Sequence, residues 1–170
     1  VRGRAEERRG VDEAERAGMR YPNCFAIGYQ AAVMMQVFGR EQSDKALTAR
    51  ALELYERALL LTEQNTNSEI SELTIHVAMA ECDLMLGRKE KALETLKANN
   101  PMGLNNTMIG MWAITHCDRA EEAENYLSRA LLENVSRLFT MTVGFLTLYE
   151  KQKRWNEARE LARWMLAICE

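Results

Sequence analysis

An alanine followed at helical spacing by a larger apolar residue recurs along the chain, and this recurrence constrains the fold more than any other feature. In the stretch LGRKEKALETLKANNP, residues 86–101, Ala92 and Leu96 are four residues apart and share one helix face. Three further stretches carry the same pattern: Ala51, Tyr55 and Ala58; Ala123, Leu127 and Ala130; Ala158, Ala162 and Met165. A helix that repeats in this way indicates a tandem array of similar units.

The spacing of the copies indicates their size. Their leading alanines are 41, 31 and 35 residues apart, which scatter around the roughly 34-residue period of tetratricopeptide repeats. We assign the extra residues of the first interval to a loop at residues 40–44, after a helix expected to end at Gly39. A second helical stretch precedes each copy, and the short breaks between stretches suit antiparallel pairs: residues 23–38, 69–86, 104–116 and 135–151.

The N-terminal residues fit the same scheme. Ala14 and Ala17 lie on one helix face, and the pattern breaks at Pro22. Proline cannot continue a helix but can stand where the next one begins, a role that Pro22 and Pro101 share. We therefore predict one domain over residues 1–170, made of the last helix of an incomplete repeat and four helix pairs: 1–21, 23–64, 69–99, 104–134 and 135–170.

The predicted fold is all-α, a right-handed superhelix of about nine helices stacked as antiparallel pairs. Helix formers dominate the chain, while glycine and proline are scarce, with 9 and 2 copies. The alanines would lie where the two helices of a pair cross closely, and Tyr55, Leu96 and Leu127 would fill the groove against the next pair. The alternative is a non-repeating bundle, because similar spacings occur in any amphipathic helix.

Three runs, ALELYERALLL, LGRKEKALETLKANNP and LTLYEKQKRWNEARELARWM, resemble tetratricopeptide units. Across residues 10–170, the combination of YPNCFAIGYQAAVMMQVFG with ANNPMGLNNTMIGMW resembles the sensor half that follows a helix-turn-helix domain in bacterial transcription regulators of the XRE type. The resemblance implies a module that binds short peptides in a groove and forms homodimers. No stretch resembles the DNA-reading helix pair, so we expect the DNA-binding domain to be absent from this chain.

Charge and composition argue against other classes of partner. The net charge is −3, so no positive field favours a polyanion, and we expect no direct binding of nucleic acid by this chain. The charge run at residues 2–9 mixes arginines with Glu6 and Glu7, which is typical of a salt-bridged exposed helix. No run is apolar enough for a membrane span, and we expect a cytoplasmic protein with reduced cysteines at positions 24, 82, 117 and 169.

No catalytic or cofactor motif is present in the sequence. His76 and Cys82 are six residues apart, and His116 and Cys117 are adjacent, so neither pair has the spacing of zinc ligands on a helix. The glycines are dispersed, without a GxGxxG or GxxxxGK loop for a phosphate. We therefore predict a protein that is not an enzyme and that has no metal or cofactor.

The concave surface of a superhelix is lined by the first helix of each pair. Amide, aromatic and hydroxyl side chains at such positions suit recognition of a peptide backbone, because amides both donate and accept. The alternative is that these are ordinary solvent-exposed polar positions. The candidate peptide-binding residues are Tyr29, Gln30, Gln36, Glu81, Asn105, Trp112, His116, Thr147 and Lys151, with Asn105 and Trp112 expected to matter most.

The last helix, WNEARELARWMLAICE, carries more apolar surface than one neighbouring helix pair can cover. We predict a homodimer with this helix at its two-fold interface, through Leu161, Trp164, Met165 and Ile168. The alternative is that this helix packs wholly within its own chain. The predicted function is that of a peptide- or protein-binding and dimerisation module of a transcription regulator, and the alternative function is a free-standing adaptor for a protein partner.

Overall fold

Eight α-helices and two 3-10 helices account for most of the chain. The computed structural model describes the backbone of residues 2–169 and the side chains of residues 9–168. No β-strand occurs in this part of the chain, which confirms the all-α prediction for it. The α-helices are α1 (Arg2–Arg20), α2 (Phe25–Gln42), α3 (Lys45–Leu59), α4 (Glu72–Met85), α5 (Lys89–Ala98), α6 (Asn106–Cys117), α7 (Ala120–Lys151) and α8 (Trp155–Cys169), and the 3-10 helices are Thr62–Gln64 and Pro101–Gly103.

Local sequence explains where several helices begin. The Asp44 carboxylate accepts hydrogen bonds from the backbone N–H groups of Ala46 and Leu47, at 2.8 and 3.2 Å, and so caps α3. At the start of α4, Ser71 and Thr74 form a reciprocal capping box. Each cap satisfies N–H groups that have no partner within the helix.

Several predicted helix ends are confirmed. α4 ends just before Gly87, which has a left-handed φ of 83°, and α6 ends at Asp118, which has a φ of 54°. α1 ends before Pro22, and α7 ends at Lys151, immediately before the predicted break. Predictions that concern Cys169 and the charge run at residues 2–8 lie outside the described side chains.

The predicted helix end at Gly39 and the loop at residues 40–44 are wrong. α2 continues to Gln42, and Ser43 adopts the left-handed conformation that ends it. Gly39 instead permits a close helix contact, because a Cβ there would lie 2.6 Å from the Thr48 Oγ1. Residues 40–44 also precede Ala51 and so lie outside the first interval, which runs from Ala51 to Ala92. Its extra residues form the connection between α3 and α4, where the side-chain oxygen of Gln64 accepts from the Phe25 N–H at 3.2 Å.

The alanines of three of the four copies are buried, whereas Ala158 and Ala162 of the fourth copy are only partly buried. Ala51, Ala58 and Ala92 are buried, together with Tyr55 and Leu96, the larger members of their copies. Ala123 and Ala130 are also buried in α7. The principal contacts all join helices that are adjacent in the sequence, so the helices form a linear array.

The core consists of two clusters that share one helix. Ile75 and Cys82 of α4 belong to the first cluster, with side chains from α1, α2 and α3. Ala80, also on α4, belongs to the second cluster, with side chains from α5, α6 and α7. The described core is therefore divided into two clusters that meet at α4.

The predicted boundary between residues 134 and 135 is also wrong, because α7 passes through it as one helix of 32 residues. Residues 120–143 contain neither glycine nor proline, so nothing in the local sequence ends a helix there. Eight α-helices are therefore described, against the nine expected. Among them, none is long and apolar enough to cross a membrane.

Candidate interaction surface

A pair of antiparallel helices at the C-terminal end of the array exposes many apolar side chains. We call residues 135–168, the second half of α7 together with α8, the C-terminal hairpin. The principal contact of α8 is with α7. The large exposed apolar residues of the hairpin are Val135, Phe139, Met141, Val143, Phe145, Leu148, Trp155, Trp164, Leu166 and Ile168, with exposures of 41 to 66%.

Two buried side chains form the centre of the C-terminal hairpin. Thr142 and Met165 are each 7% exposed, and they are the only buried residues between positions 135 and 168. The Thr142 Oγ1 lies 3.2 Å from the Met165 Sδ and bonds to the Leu138 carbonyl at 2.9 Å. The internal packing of the hairpin is therefore thin compared with the apolar surface that it leaves exposed.

The turn between α7 and α8 is well ordered by polar contacts. Lys153 adopts a left-handed φ of 57°, and the Arg154 N–H donates to the Tyr149 carbonyl at 2.8 Å. The Arg154 guanidinium lies 4.7 Å from the centre of the Tyr149 ring, and its Nε donates to Glu157 at 2.8 Å. This hydrogen bond lowers the pKa of the Glu157 carboxyl. The contacts fix α8 antiparallel to α7.

Three of the four predicted dimer residues lie on accessible surface, and the fourth does not. Trp164 and Ile168, four residues apart on α8, are 52% and 51% exposed, and Leu161 is partly buried. Met165 is directed at α7 instead, where it meets Thr142. Its predicted place on an outer face is therefore wrong, because α8 uses this side chain to pack within the chain.

A shallow groove runs between the two helices of the C-terminal hairpin. Its volume is about 490 Å³, and it combines aromatic, aliphatic and carboxylate side chains. The lining residues are Tyr149, Asn156, Glu157, Glu160, Leu161 and Trp164. Two of the predicted dimer residues, Leu161 and Trp164, thus line this groove.

Sequence reasoning missed the contribution of α7 to this surface. Phe139 and Val143, four residues apart on one face of α7, are 45% and 61% exposed, and Phe145, on another face of the same helix, is 51% exposed. The missed signal was the absence of any helix breaker in residues 120–143, which lets α7 continue as one helix past the end of its contact with α6.

Two of the predicted peptide-binding residues form an internal cross-link. Gln36 is 7% exposed, and its amide nitrogen donates to the Glu81 carboxylate at 2.8 Å. Its amide oxygen accepts from the Tyr55 hydroxyl at 2.6 Å, and burial raises the pKa of that hydroxyl. The network joins α2, α3 and α4, so the Gln36 amide is already occupied on both sides.

Asn105 closes the loop that precedes α6. Its side-chain nitrogen donates to the Asn99 carbonyl at 3.0 Å, and its backbone N–H donates to the Asn100 side chain at 2.7 Å. These bonds hold the connection between α5 and α6. The Asn105 side chain therefore holds this loop together, whereas we expected it to contact a ligand.

The remaining predicted groove residues are distributed over three helices. Tyr29 packs with Phe25 and Tyr55 at ring distances of 5.8 and 5.9 Å. Trp112 and His116 form an edge contact at 6.3 Å and are both partly buried. Gln30, Thr147 and Lys151 are exposed. Among the described side chains, hydrogen bonds and ring contacts within the predicted set join only Gln36 with Glu81 and Trp112 with His116.

Within residues 9–168, no group of three or more His, Cys, Asp or Glu side chains is arranged to hold a metal ion. Cys82 is buried, and burial raises the pKa of its thiol to about 12.

Comparisons of this chain with family models, with curated proteins and with solved structures found no match.

Proposed function

We propose that this chain is a helical interaction module that forms a homodimer through its C-terminal hairpin. The supporting observation is the exposed apolar surface of α7 and α8, which Phe139, Phe145 and Trp164 dominate. Exposed apolar patches of this kind commonly mark a protein interface, because burying them removes apolar area from water at roughly 25 cal/mol per Å². A two-fold contact buries the same surface on both copies at once.

Light scattering coupled to size exclusion tests the dimer. The wild-type chain should have twice the monomer mass of 19.5 kDa at micromolar concentration. Trp164→Glu should reduce the mass to that of the monomer, because a carboxylate would be buried without a partner in the interface. Leu60→Glu is a matched control, since Leu60 is 85% exposed at the end of α3, far along the chain from the hairpin.

The wider proposal is that this module senses a peptide or protein for a transcription regulator and does not itself bind nucleic acid. It rests on the resemblance to XRE-type sensor halves.

The partly buried pair of Trp112 and His116 on α6 offers an aromatic platform beside a polar ring. Calorimetric titration with peptides from culture medium should give heat that His116→Ala reduces. Equal heat from that variant would remove His116 from the site.

The alternative is an adaptor that holds a protein partner. Whether the gene encodes a DNA-reading domain before Val1 distinguishes the two functions. A helix-turn-helix segment of about sixty residues there would support the regulator. A further helical repeat in its place would support the adaptor, and it would leave the dimer proposal as it stands.

A further inference from the structure

Two apolar surfaces of the chain stay uncovered because α7 is one continuous helix. One is the C-terminal hairpin. The other lies on α6, on the loop before it and on the first half of α7, and we call it the acceptor surface. Its exposed apolar side chains include Leu104, Met111, Ile114 and Leu131, with exposures of 57%, 47%, 41% and 67%. Met111 and Ile114 are three residues apart and thus share one face of α6.

The lengths of the helices explain why the hairpin does not cover the acceptor surface. At ~1.5 Å per residue, α7 is roughly 48 Å long, whereas α8, with 15 residues, is roughly 22 Å long. α8 runs back from the turn and reaches Thr142 with Met165, while α6 pairs with the first half of α7. At the far end of α6, Asn106 meets Glu133. α6 and α8 therefore pack on different halves of the same long helix.

The two surfaces carry opposite charge. Residues 104–134 contain two Lys or Arg and five Asp or Glu, and the exposed Glu121 and Glu124 are among them. The hairpin, residues 135–168, contains six Lys or Arg and three Asp or Glu, with Arg137, Lys151 and Arg159 exposed. Opposite net charge favours an encounter between the hairpin and the acceptor surface over an encounter between two hairpins.

We propose that two copies of this chain exchange their C-terminal hairpins, so that each hairpin covers the acceptor surface of the other copy. The proposal rests on the dimer proposed above and identifies the surface that the hairpin meets. For the hairpin to cover its own acceptor surface, α7 must break near residues 134–136, where no glycine or proline permits it. Exchange between copies covers both surfaces while α7 remains one continuous helix, and swapping an element is a low-cost route to a dimer.

Complementation between two variants tests the exchange. Ile114→Glu alters the acceptor surface, and Trp164→Glu alters the hairpin. The exchanged dimer has two contacts, each between the hairpin of one copy and the acceptor surface of the other. In a dimer of either variant alone, both contacts carry a substitution on one side, so each variant should have the monomer mass. In a mixed dimer, the wild-type hairpin of one variant meets the wild-type acceptor surface of the other, so an equimolar mixture should recover dimer. Met111→Glu, which changes a second exposed residue of α6, should behave as Ile114→Glu does, and circular dichroism should show wild-type helix content for every variant.

Two other results of these mass measurements would distinguish a failure of the hairpin exchange from a failure of the dimer proposal. If Ile114→Glu and Met111→Glu remain dimers while Trp164→Glu does not, the hairpins meet each other, and the exchange is overturned while the dimer stands. If the wild-type chain is a folded monomer, both proposals are overturned.

A hinge variant gives an independent readout of the exchange. Four residues, Gly-Ser-Gly-Ser, inserted between Asn134 and Val135 would let the hairpin fold back on its own acceptor surface. The exchange predicts a monomer in which the amides of residues 104–134 are at least as protected from hydrogen exchange as in the wild-type dimer. An inserted chain that is still a dimer, with unchanged protection, would contradict the exchange.

Discussion

The Oγ1 of Thr142 and the Sδ of Met165 lie 3.2 Å apart between α7 and α8, and these are the only two buried side chains in residues 135–168. The hairpin exposes ten large apolar side chains and therefore has little internal core. Its stability has to come from Met165, from the ordered turn at Arg154 and from whatever covers its outer faces.

The first prediction concerns Met165. Met165→Ala should destabilise the hairpin by about 2 kcal/mol, at the low end of the range for a buried methionine, because the site is at the edge of a thin core. Hydrogen exchange should be faster in residues 155–168, with α2 to α5 unaffected. Leu166→Ala, at the neighbouring position that is 66% exposed, is the control and should change the exchange of α8 less. Similar exchange in the two variants would contradict the packing role of Met165.

The second prediction concerns Gly110 at the crossing of α6 and α7. An added Cβ would lie 2.6 Å from the Leu127 Cγ and 3.1 Å from the Ala123 carbonyl oxygen. Gly110→Ala should therefore lower the melting temperature, although alanine favours a helix over glycine by roughly 1 kcal/mol. Gly28→Ala is the matched control in α2, where a Cβ meets nothing within 4 Å, and it should raise the melting temperature. A stabilised Gly110→Ala chain would show that the two helices are not so close.

The third prediction is a loss of stability at alkaline pH. Burial raises the pKa of the Cys82 thiol from an ordinary value of 9.0 to about 12, and it also raises the pKa of the Tyr55 hydroxyl. Above about pH 9 the unfolded chain releases the thiol proton while the folded chain retains it. Each such group lowers the free energy of unfolding by up to ~1.4 kcal/mol per pH unit, until the folded pKa is reached.

The test is urea unfolding between pH 8 and 11. Cys82→Ala should reduce the slope of the free energy of unfolding against pH. Ile75→Val is the control, because it removes a methyl group from the same core cluster without a titrating group and should lower the stability by a similar amount at every pH. An unchanged slope in Cys82→Ala would show that the thiol is not the group responsible.

The fourth prediction concerns Asn105. Because its amide bonds to the Asn99 carbonyl in the loop before α6, Asn105→Ala should destabilise the chain by ~1 kcal/mol, the usual value of such a bond. Thr107→Ala, at an exposed position in the first turn of α6, is the control. If Asn105→Ala leaves the stability unchanged but weakens peptide binding, its predicted role as a ligand contact is supported instead.

Short-range signals in the sequence were sufficient for much of the fold. The spacing of Ala51 and Ala58 identified a buried helix face, and Gly87 and Asp118 ended helices where we predicted. Each of these features depends on residues within one or two helical turns, where backbone conformation and side-chain size decide the outcome.

Features that depend on packing between helices were not predictable in this way. A glycine at position 39 suggests the end of a helix. In the structure, its lack of a side chain instead allows α2 to approach Thr48 closely. The boundary placed after Asn134 followed from the repeat period alone, whereas the residues around it are good helix formers. The same limit applies to the site, since Gln36 was identified as polar, but its bonds to Tyr55 and Glu81 depend on how three helices meet.

The most direct test of the central claim is the molar mass of the folded wild-type chain at micromolar concentration, measured by multi-angle light scattering. The exposed apolar hairpin predicts a dimer, with twice the 19.5 kDa of one chain. A folded species of 19.5 kDa that does not associate as its concentration rises would contradict the claim.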